Sequence, residues 1–526
     1  MVENILTKYS SMRFSKLGFL FFGLFVIATL SCNKWNDHTA VTELSLNDNL
    51  SEYIGRVPEL TKFAEYLAKT GLDKEIASSK NYTVWAPSNT ALNALPADVV
   101  NDTARLKAFL LNHISGQLYF SRMGNDSMRV PMLNGKRLFF AGKKLEDANV
   151  ITSDTYVRNG VLHIIDKAIS PLQSVWEFIG ATKEQYAQNA YISTLNYQAQ
   201  DPAVAVLDSI NPLTGQPVYK PNTGIVQINT YRTKIYEVAN EDSLYTYVLL
   251  TNTAFTAEGI KLRPYFQSAD PAITNANASW AVVKDFAIKG LYKPENLPAA
   301  LLSKFGVRVN MNKNGIVETR RLSNGIVYIM NEALTAKEEK IPVYYLQGER
   351  PDSLSSYLDR YITKIFYRER NNPTSGTPFK DIYLNLGSSG LNYYVDYFTN
   401  DLYTLKYRVY WVALNDRTIS GQGDDPYGTD STLQQILRIG ANNVPFTPAF
   451  SVQVPVKPYD YSEVYLGEYT NPDYNFQLQR PLRLPDGSDF TFNPATRRLR
   501  LQAPASTGTG IPANLTLDYL KFVPVF

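Results

Sequence analysis

The stretch "YTVWAPSNTAL", residues 82–92, occurs again with few changes as "YTYVLLTNTAF", residues 245–255. Each copy joins a β-prone run to a Ser-Asn or Thr-Asn pair that can cap a helix. A second pair follows, because "NGVLHIIDKAI" (159–169) is similar to "NGIVYIMNEAL" (324–334). The interval from the Tyr to the Asn is 159 − 82 = 77 residues in the first copy and 324 − 245 = 79 in the second. Two motifs at nearly equal spacing predict a duplicated domain, in which the quoted stretch connects a strand to a helix.

The length and composition limit the number of domains and the classes of function. A chain of 526 residues should hold about three domains. The 36 Tyr and 25 Phe, against 7 Met, favour strands and aromatic surfaces. A net charge of +3 gives no indication of nucleic-acid binding.

The N-terminal segment is typical of an export signal. Basic residues precede an apolar run at 17–30 that is too short to span a bilayer, so 1–31 is expected to be a signal peptide. Cys32 is the only cysteine, which excludes a disulfide or a cysteine-based metal cluster within the chain. The "ATLSC" ending resembles the cleavage box of Bacteroidetes-type lipoproteins, and the resemblance implies that Cys32 carries acyl chains in the outer membrane, with 32–45 as a tether. The alternative is a plain secretory signal with an incidental cysteine.

Further elements are predicted around the first copy. "VPELTKFAEYLAKTGL" (57–72) has the apolar spacing of an amphipathic helix that Gly71 ends. "LKAFLLNHISG" (106–116) predicts another helix, to about Ile114, and a buried strand is predicted from 161 to 165.

These segments together resemble the fasciclin domain over residues 46–172. The resemblance implies a compact α+β fold and a role in adhesion or binding without catalysis. Its motif positions are Thr83, Pro87, Asn89, His113, Asn159, Gly160 and His163. Residues 173–335 are then expected to form a second, degenerate fasciclin domain with a loop insertion at 207–224. In this copy Leu250 replaces Pro87, Tyr328 replaces His163, and no histidine matches His113.

Residues 336–526 differ from the two copies, because strand-like runs replace helical periodicity. In "LYTLKYRVYWVALND" (402–416) alternate residues are apolar, which is the pattern of a half-buried antiparallel strand. Gly-rich segments at 420–430 and 484–490 are predicted loops. The expected fold is an all-β sandwich or jelly roll, and the C-terminal strand is similar to the last strand of carbohydrate-binding-like jelly rolls.

No catalytic, cofactor or metal motif is found in the sequence. The three histidines lack metal-binding spacing, and there is no HExxH, GxSxG, GxxxxGK[ST] or strand-following GxGxxG. His113 and His163 are interpreted as structural. Asp424 and Asp425 indicate a solvated loop or a loosely bound Ca²⁺. A hydrolase would need a pocket with two suitably spaced carboxylates.

Tyrosines near Asp and Asn provide candidate ligand contacts, because sugars stack on aromatic rings while polar side chains bind their hydroxyls. The candidates are Tyr393, Tyr394, Tyr397, Tyr461, Tyr465 and Tyr469. The alternative is that they are ordinary strand residues, of which half face the core. Asp-Ser and Asp-Thr pairs resemble the O-glycosylation sequon of Bacteroidetes exported proteins, although helix caps and turns explain them equally well; they begin at Asp102, Asp126, Asp208, Asp242 and Asp352.

The sequence therefore predicts a non-enzymatic surface lipoprotein that binds a ligand, most simply a polysaccharide. By analogy with Bacteroidetes-type lipoproteins, it would assist a TonB-dependent transporter and its substrate-binding lipoprotein in outer-membrane uptake. The alternative function is an adhesion or scaffold protein that binds matrix or surface proteins through its fasciclin domains.

Overall fold

The computed structural model describes residues 44–124, 126–332, 335–355, 364–386, 393–416, 418–419, 423–424, 431–474, 496–504 and 513–526. The chain divides into two compact units, Met1–Leu172 and Gln173–Phe526. The predicted signal peptide, Cys32 and most of the predicted tether lie outside the described residues.

The first unit is a mixed α+β structure. Its helices are α1 (Leu50–Arg56), α2 (Thr61–Thr70), α3 (Leu72–Ile76), α4 (Asn89–Leu92), α5 (Ala97–Asn101) and α6 (Thr103–Leu111), with 3₁₀ turns at Leu44–Asn47, Pro58–Leu60 and Ser121–Gly124. Its strands are β1 (Tyr82–Pro87), β2 (Ile114–Ser115), β3 (Met128–Pro131), β4 (Arg137–Phe140), β5 (Lys144–Leu145), β6 (Ala148–Val157) and β7 (Gly160–Ile165). They form one sheet in the order β2-β1-β7-β6-β5-β4-β3.

The predicted helix face of this unit is confirmed at Leu60, Phe63 and Leu67. Val57, predicted to be on the same face, instead precedes a 3₁₀ turn and is half-buried, and a second helix end is also corrected. Leu60, Phe63 and Leu67 are buried, and Gly71 ends α2 with a φ of 75°, a conformation that favours glycine. Helix α6 ends at Leu111 rather than near Ile114. The prediction was wrong there because Ile114 leaves the helix and pairs with β1 as part of β2.

The second unit begins with another α+β segment. Its helices are α7 (Val175–Ala181), α8 (Ala187–Thr194), α9 (Thr230–Lys234), α10 (Asn252–Leu262), α11 (Pro271–Val283) and α12 (Lys337–Lys340), with 3₁₀ turns at Arg263–Tyr265, Pro294–Asn296 and Lys313–Gly315. Its strands are β8 (Asn196–Gln200), β9 (Leu207–Ile210), β10 (Pro217–Tyr219), β11 (Ile225–Asn229), β12 (Tyr245–Leu250), β13 (Ala287–Lys289), β14 (Ala300–Leu302), β15 (Arg308–Asn310), β16 (Ile316–Leu322) and β17 (Gly325–Met330). The insertion predicted as a loop instead contains the β9–β10 hairpin. Its central Pro and Gly residues lie in the turn of this hairpin, and the residues on either side form the two strands.

The two repeated stretches occupy the same place in their sheets. Strand β1 pairs in parallel with β7 from Tyr82↔Gly160, and β12 pairs in parallel with β17 from Tyr245↔Gly325. A Cβ atom on Gly160 would lie 2.1 Å from the Tyr82 carbonyl oxygen, and one on Gly325 would lie 2.2 Å from that of Tyr245. Both motifs therefore require glycine at this close approach.

Asn159, which precedes Gly160, forms side-chain hydrogen bonds to two other segments of the first unit. Its Oδ1 accepts a hydrogen bond from the Leu50 N–H at the start of α1 (2.9 Å). Its Nδ2 donates to the carbonyls of Ile76 (2.7 Å) and Ser78 (2.8 Å). The side chain thus satisfies a helix N–H that has no partner within the helix.

Asn324 repeats this arrangement in the second unit. Its Oδ1 accepts from the Val175 N–H at the start of α7 (2.8 Å), and its Nδ2 donates to the carbonyls of Val238 (2.9 Å) and Asn240 (3.1 Å). Asn159 and Asn324 therefore have the same role in their own units.

The helix that follows each repeated strand is capped as predicted. Ser88 accepts from the Ala91 N–H, and Thr251 accepts from the Ala254 N–H. Asn89 acts differently from the prediction, because its Oδ1 accepts from the Lys62 N–H in α2 and so joins two helices.

The other motif positions also have structural roles. Thr83 Oγ1 donates to a carbonyl (2.7 Å) and accepts the Tyr119 N–H (2.9 Å). His163 Nε2 lies 3.0 Å from the Tyr119 carbonyl, and in the second unit the Tyr328 hydroxyl donates to the Tyr292 carbonyl at 2.7 Å. The tyrosine therefore replaces the histidine without loss of this contact.

In the second unit, Phe286 occupies the position that corresponds to His113. The Trp85 N–H donates to the His113 carbonyl (2.9 Å), and the Val248 N–H donates to the Phe286 carbonyl (2.8 Å). His113 is fully buried, and this burial lowers its pKa to about 4. A neutral, hydrogen-bonded ring at this position fits the structural interpretation.

The remaining residues of the second unit are β-rich, as predicted. The strands are β18 (Tyr344–Gln347), β19 (Ser353–Leu354), β20 (Ile365–Asn371), β21 (Pro378–Leu384), β22 (Tyr394–Thr399), β23 (Lys406–Val412), β24 (Thr418–Ile419), β25 (Gly423–Asp424), β26 (Leu433–Ala441), β27 (Pro448–Val456), β28 (Val464–Thr470), β29 (Arg497–Gln502), β30 (Leu515–Leu517) and β31 (Tyr519–Val525). Sheets β18-β31-β23-β28, β19-β22-β29-β26-β27 and β20-β21-β30 are antiparallel. The first two pack their apolar faces into one core, which includes Tyr407, Trp411, Leu437 and Leu501.

The α+β segment and the β-rich segment share a buried junction within the second unit. Phe266 packs edge-on against Tyr403 and Tyr474, whose rings stack 5.2 Å apart. Lys340 is fully buried, where its Nζ bonds to the Asp285 carboxylate (2.6 Å) and the next residue, Ile341, enters the β-rich core.

Candidate functional site

Three of the six candidate tyrosines are core residues. Tyr393, Tyr397 and Tyr469 are buried, and the Tyr397 hydroxyl donates to the Gly348 carbonyl (2.8 Å). The prediction that all six form a ligand surface is corrected for these three, because strand alternation turns them inward.

The other three candidates reach the surface at different places. Tyr394 lies on the outer face of the five-stranded sheet beneath Arg500, and Tyr465 is 51% exposed on β28. Tyr461 lines a cleft whose walls also include the carboxylates of Glu349 and Asp518. The calcium candidate is incompletely described, because Asp424 lies in β25 and Asp425 lies outside the described residues.

The cleft has a volume of about 580 Å³. It lies where the β20–β21 hairpin meets the ends of β18, β23 and β31, and we name it the acidic cleft. Its walls include Gln347, Glu349, Phe379, Tyr461, Asp518 and Tyr519. Aromatic rings, a carboxamide and carboxylates thus face one concave space, a combination suited to a polar ligand with apolar faces.

Asp518 provides the most unusual group in this cleft. It follows β30 and precedes β31, where its N–H donates to the Val412 carbonyl (2.8 Å) and fixes the backbone. The residue is only 8% exposed, yet its carboxyl has no hydrogen-bond or ion-pair partner among the described residues. Burial, followed by the charges of Asp381 and Glu349, raises the pKa of Asp518 to about 7.

Glu349 provides a second carboxylate with an unsatisfied hydrogen-bond acceptor. Its Oε2 is buried and has no hydrogen-bond partner in the described part of the chain, and the Arg350 Nε lies 3.9 Å from its Oε1. A buried carboxylate oxygen without a donor is unfavourable. A ligand with hydroxyl or amine donors would satisfy both Glu349 and Asp518.

A network of charges beneath the cleft fixes Tyr461. Its hydroxyl donates to Asp416 (2.7 Å), which also accepts two hydrogen bonds from Arg370 (2.7 Å each) and one from Arg368 (2.8 Å). Arg368 is fully buried and is also paired with Asp381. Burial and the bond to Asp416 raise the pKa of Tyr461 to about 12. The ring is therefore held rigidly as a neutral phenol.

Sequence reasoning missed Asp518 and Glu349. The available signal was a single Asp within the apolar run "LTLDYLKF" (515–522), where a strand core seldom has an ionisable side chain. Nothing local indicates that Glu349 lies near it.

The described residues contain no group of three or more His, Cys, Asp or Glu side chains that could hold a metal ion. No helix in the described ranges has the length and apolar character needed to cross a membrane. Asp102, at one of the possible glycosylation sequons, caps α6 by accepting the N–H groups of Ala104 and Arg105.

Comparisons with solved structures gave low overall similarity scores. A FAS1 domain pair from the insect cell adhesion molecule fasciclin I has a TM-score of 0.22 and 17% identity, covering 54% of this chain and 99% of that one. A β-1,3-glucan-binding CBM6 from Bacillus halodurans has a TM-score of 0.20 and 12% identity, covering 34% and 95%. A CBM4 structure has a TM-score of 0.18 and 13% identity, covering 35% and 86%.

Sequence comparisons give a relative and a family model that are similar to part of this chain. Protein sll1483 of Synechocystis sp. (strain ATCC 27184 / PCC 6803 / Kazusa) is 32% identical over an alignment of 111 positions that covers 19% of this chain. The chain spans 61% of the length of that relative. The family model of the fasciclin domain matches residues 58–171. This match coincides with the sheet and helices of the first unit, and the chain therefore contains a fasciclin domain at residues 58–171.

Proposed function

We propose that this chain is a non-catalytic surface protein that binds a glycan in the acidic cleft of its β-rich segment. The observation that carries the proposal is the Asp518 carboxyl, which is nine-tenths buried, has no partner among the described residues and opens into a cleft with aromatic walls. Sugars offer hydroxyl donors for such a carboxylate and C–H faces for Tyr461 and Tyr519. The rigid network beneath Tyr461 reduces the ordering cost of binding.

The remainder of the chain is proposed to position this segment. We assign residues 46–172 and 173–335 as tandem fasciclin domains, the second degenerate, and residues 336–526 as the β-sandwich. The matching contacts of Asn159 and Asn324 support the second assignment.

Localisation follows from the N-terminal signal. In this proposal Cys32 is acylated, the chain is anchored to the outer membrane, and the cleft supplies ligand to a TonB-dependent transporter and its partner lipoprotein. The proposal rests on the sequence around Cys32 and is tested by labelling cells with a radioactive or alkyne-bearing fatty acid and comparing the natural chain with Cys32→Ser.

Glycan binding is tested by isothermal titration of the purified chain against a panel of polysaccharides. Asp518→Asn should weaken binding about tenfold, since a hydrogen bond to a charged group is lost. Glu468→Gln is the matched control, because Glu468 is a surface carboxylate of the same sandwich that pairs with Lys406 (2.8 Å) away from the cleft. The proposal would be contradicted if no polysaccharide of the panel bound, or if Asp518→Asn and Glu468→Gln lost the same affinity.

The titrated samples also test the absence of catalysis. Two carboxylates in a cleft are the groups that glycoside hydrolases use, and Asp518 has the raised pKa of a general acid. We expect no new reducing ends after prolonged incubation with any bound polysaccharide. Release that Asp518→Asn abolishes would make the chain a hydrolase.

Adhesion is the second candidate function, and an exposed apolar surface favours it. Ile210 is 61% exposed and Leu213 is 94% exposed on the β9–β10 hairpin of the second unit. Exposed apolar residues in a solvent-facing hairpin are typical of a protein contact surface. If adhesion is the main function, replacing 207–219 by a Gly-Ser linker abolishes attachment of protein-coated beads to matrix, while Asp518→Asn leaves it unchanged.

A further inference from the structure

The outer face of the five-stranded sheet differs chemically from its inner face. Along β22, β29 and β26 most inward residues are apolar, whereas the outward residues include three arginines. We name this surface the arginine face, and it consists of Tyr394, Asp396, Phe398, Arg438, Arg498 and Arg500. The face is separate from the residues that line the acidic cleft.

The charges on this face do not balance. Arg500 forms two hydrogen bonds with Asp396 (2.7 Å each), and the Arg498 Nε lies 3.9 Å from the same carboxylate. Arg438 is the direct cross-strand neighbour of Arg500 and has no carboxylate partner among the described residues. The six residues of the face thus include three guanidinium groups and one carboxylate, a net charge of +2 for this set.

Two of these guanidinium groups also have unmet donors. Among the residues that the structure describes, no acceptor lies within hydrogen-bond distance of the Nε atoms of Arg438 and Arg498, which are shielded from solvent. A buried N–H without an acceptor is unfavourable. An anionic oxygen at this face would accept from these donors and reduce the excess charge.

Aromatic rings hold two of the arginines in place. The Arg500 guanidinium lies 3.4 Å from the centroid of Tyr394, and that of Arg498 lies 5.5 Å from Phe398. Phe446 contacts both, at 5.2 and 5.3 Å. Stacking leaves the edges of a planar guanidinium available for a carboxylate in two-point contact.

We propose that the arginine face binds the carboxylates of an acidic polysaccharide, that is, a polymer containing uronic acids. The neighbouring β27 exposes Ser451 and Gln453 on the same face, which supply hydrogen bonds to sugar hydroxyls. Pro448 and Pro455 in this edge strand lack the N–H needed to add a peptide strand, which disfavours an acidic peptide. The site is independent of the acidic cleft, whose charge has the opposite sign.

Affinity electrophoresis of the purified full chain tests this assignment. Polygalacturonate in the gel should retard the chain, whereas its fully methyl-esterified form, which has the same backbone without the charge, should not. Arg438→Gln should weaken retardation about tenfold, as expected for loss of a charge-assisted contact. Arg408→Gln is the matched control, since Arg408 is an exposed arginine on the other sheet of the same sandwich.

The thermal melt of Arg438→Gln is recorded to confirm folding. The proposal is overturned if the esterified polymer retards the chain equally, or if Arg438→Gln and Arg408→Gln behave alike. Equal or stronger retardation by polyglutamate would assign the face to an acidic peptide instead.

Discussion

Replacing Asn324 by alanine removes three hydrogen bonds from a site that is fully buried. The Val175 N–H loses its acceptor, and the carbonyls of Val238 and Asn240 each lose a donor. A buried N–H left unsatisfied costs about 1–3 kcal/mol, and each lost carbonyl contact costs about 0.5–1.5 kcal/mol. The expected destabilisation of the second unit is therefore about 2–6 kcal/mol.

The matching change in the first unit makes this a test of the duplication. Asn159→Ala removes the same three kinds of contact, so the first unit should lose a similar free energy of unfolding. Asn275→Ala is the control, because Asn275 is exposed on α11 and alanine there should change stability by no more than about 0.5 kcal/mol.

Urea unfolding followed by hydrogen exchange and mass spectrometry assigns each transition to its unit. Asn324→Ala should lower the transition of the second unit alone, and Asn159→Ala that of the first alone. The reasoning is refuted if either change costs less than about 1 kcal/mol, or if both variants destabilise the same unit.

Titration and burial lead to three more expectations. Folding raises the pKa of Asp518 from 3.8 to about 7, so the folded chain binds more protons than the unfolded chain between these two pH values. The free energy of unfolding should therefore fall as the pH rises from 3.8 to about 7, and Asp518→Asn should flatten this part of the curve of unfolding free energy against pH. The pKa of His113 is instead lowered from 6.5 to about 4, so the first unit should lose stability as pH falls through that interval, and His113→Phe should remove this dependence in acid denaturation curves. Lys340→Met should destabilise the second unit by about 3–5 kcal/mol, and adding Asp285→Asn should restore most of it, as measured by urea unfolding; equal losses in the single and double variants would contradict the buried pair.

The strand-to-helix joint was predictable because its interactions are local. Ser88 and Thr251 cap helices within three residues of themselves, so short motifs carry the information. Gly160 and Gly325 in the second motif were also visible in the sequence. The reason that glycine is required was not, because an added Cβ would lie about 2 Å from the carbonyl oxygen of a paired strand. That strand residue is 160 − 82 = 78 positions away in the first copy and 325 − 245 = 80 in the second.

The functional surfaces were less predictable because they depend on contacts between distant strands. Alternation divides strand residues into two faces but does not identify the core face of each strand, and Tyr397 and Tyr469 were assigned to the wrong one. Asp518 and Glu349 approach each other only after strands distant in sequence pair. The excess charge at Arg438 depends on its cross-strand register with Arg500.

Glycan binding in the acidic cleft is tested most directly by locating a bound oligosaccharide in a crystal of the chain, using the ligand selected by titration. The account predicts a sugar ring against Tyr461 or Tyr519, with a hydroxyl within hydrogen-bond distance of the Asp518 carboxyl. An oligosaccharide bound elsewhere, with the Asp518 carboxyl untouched, would contradict it.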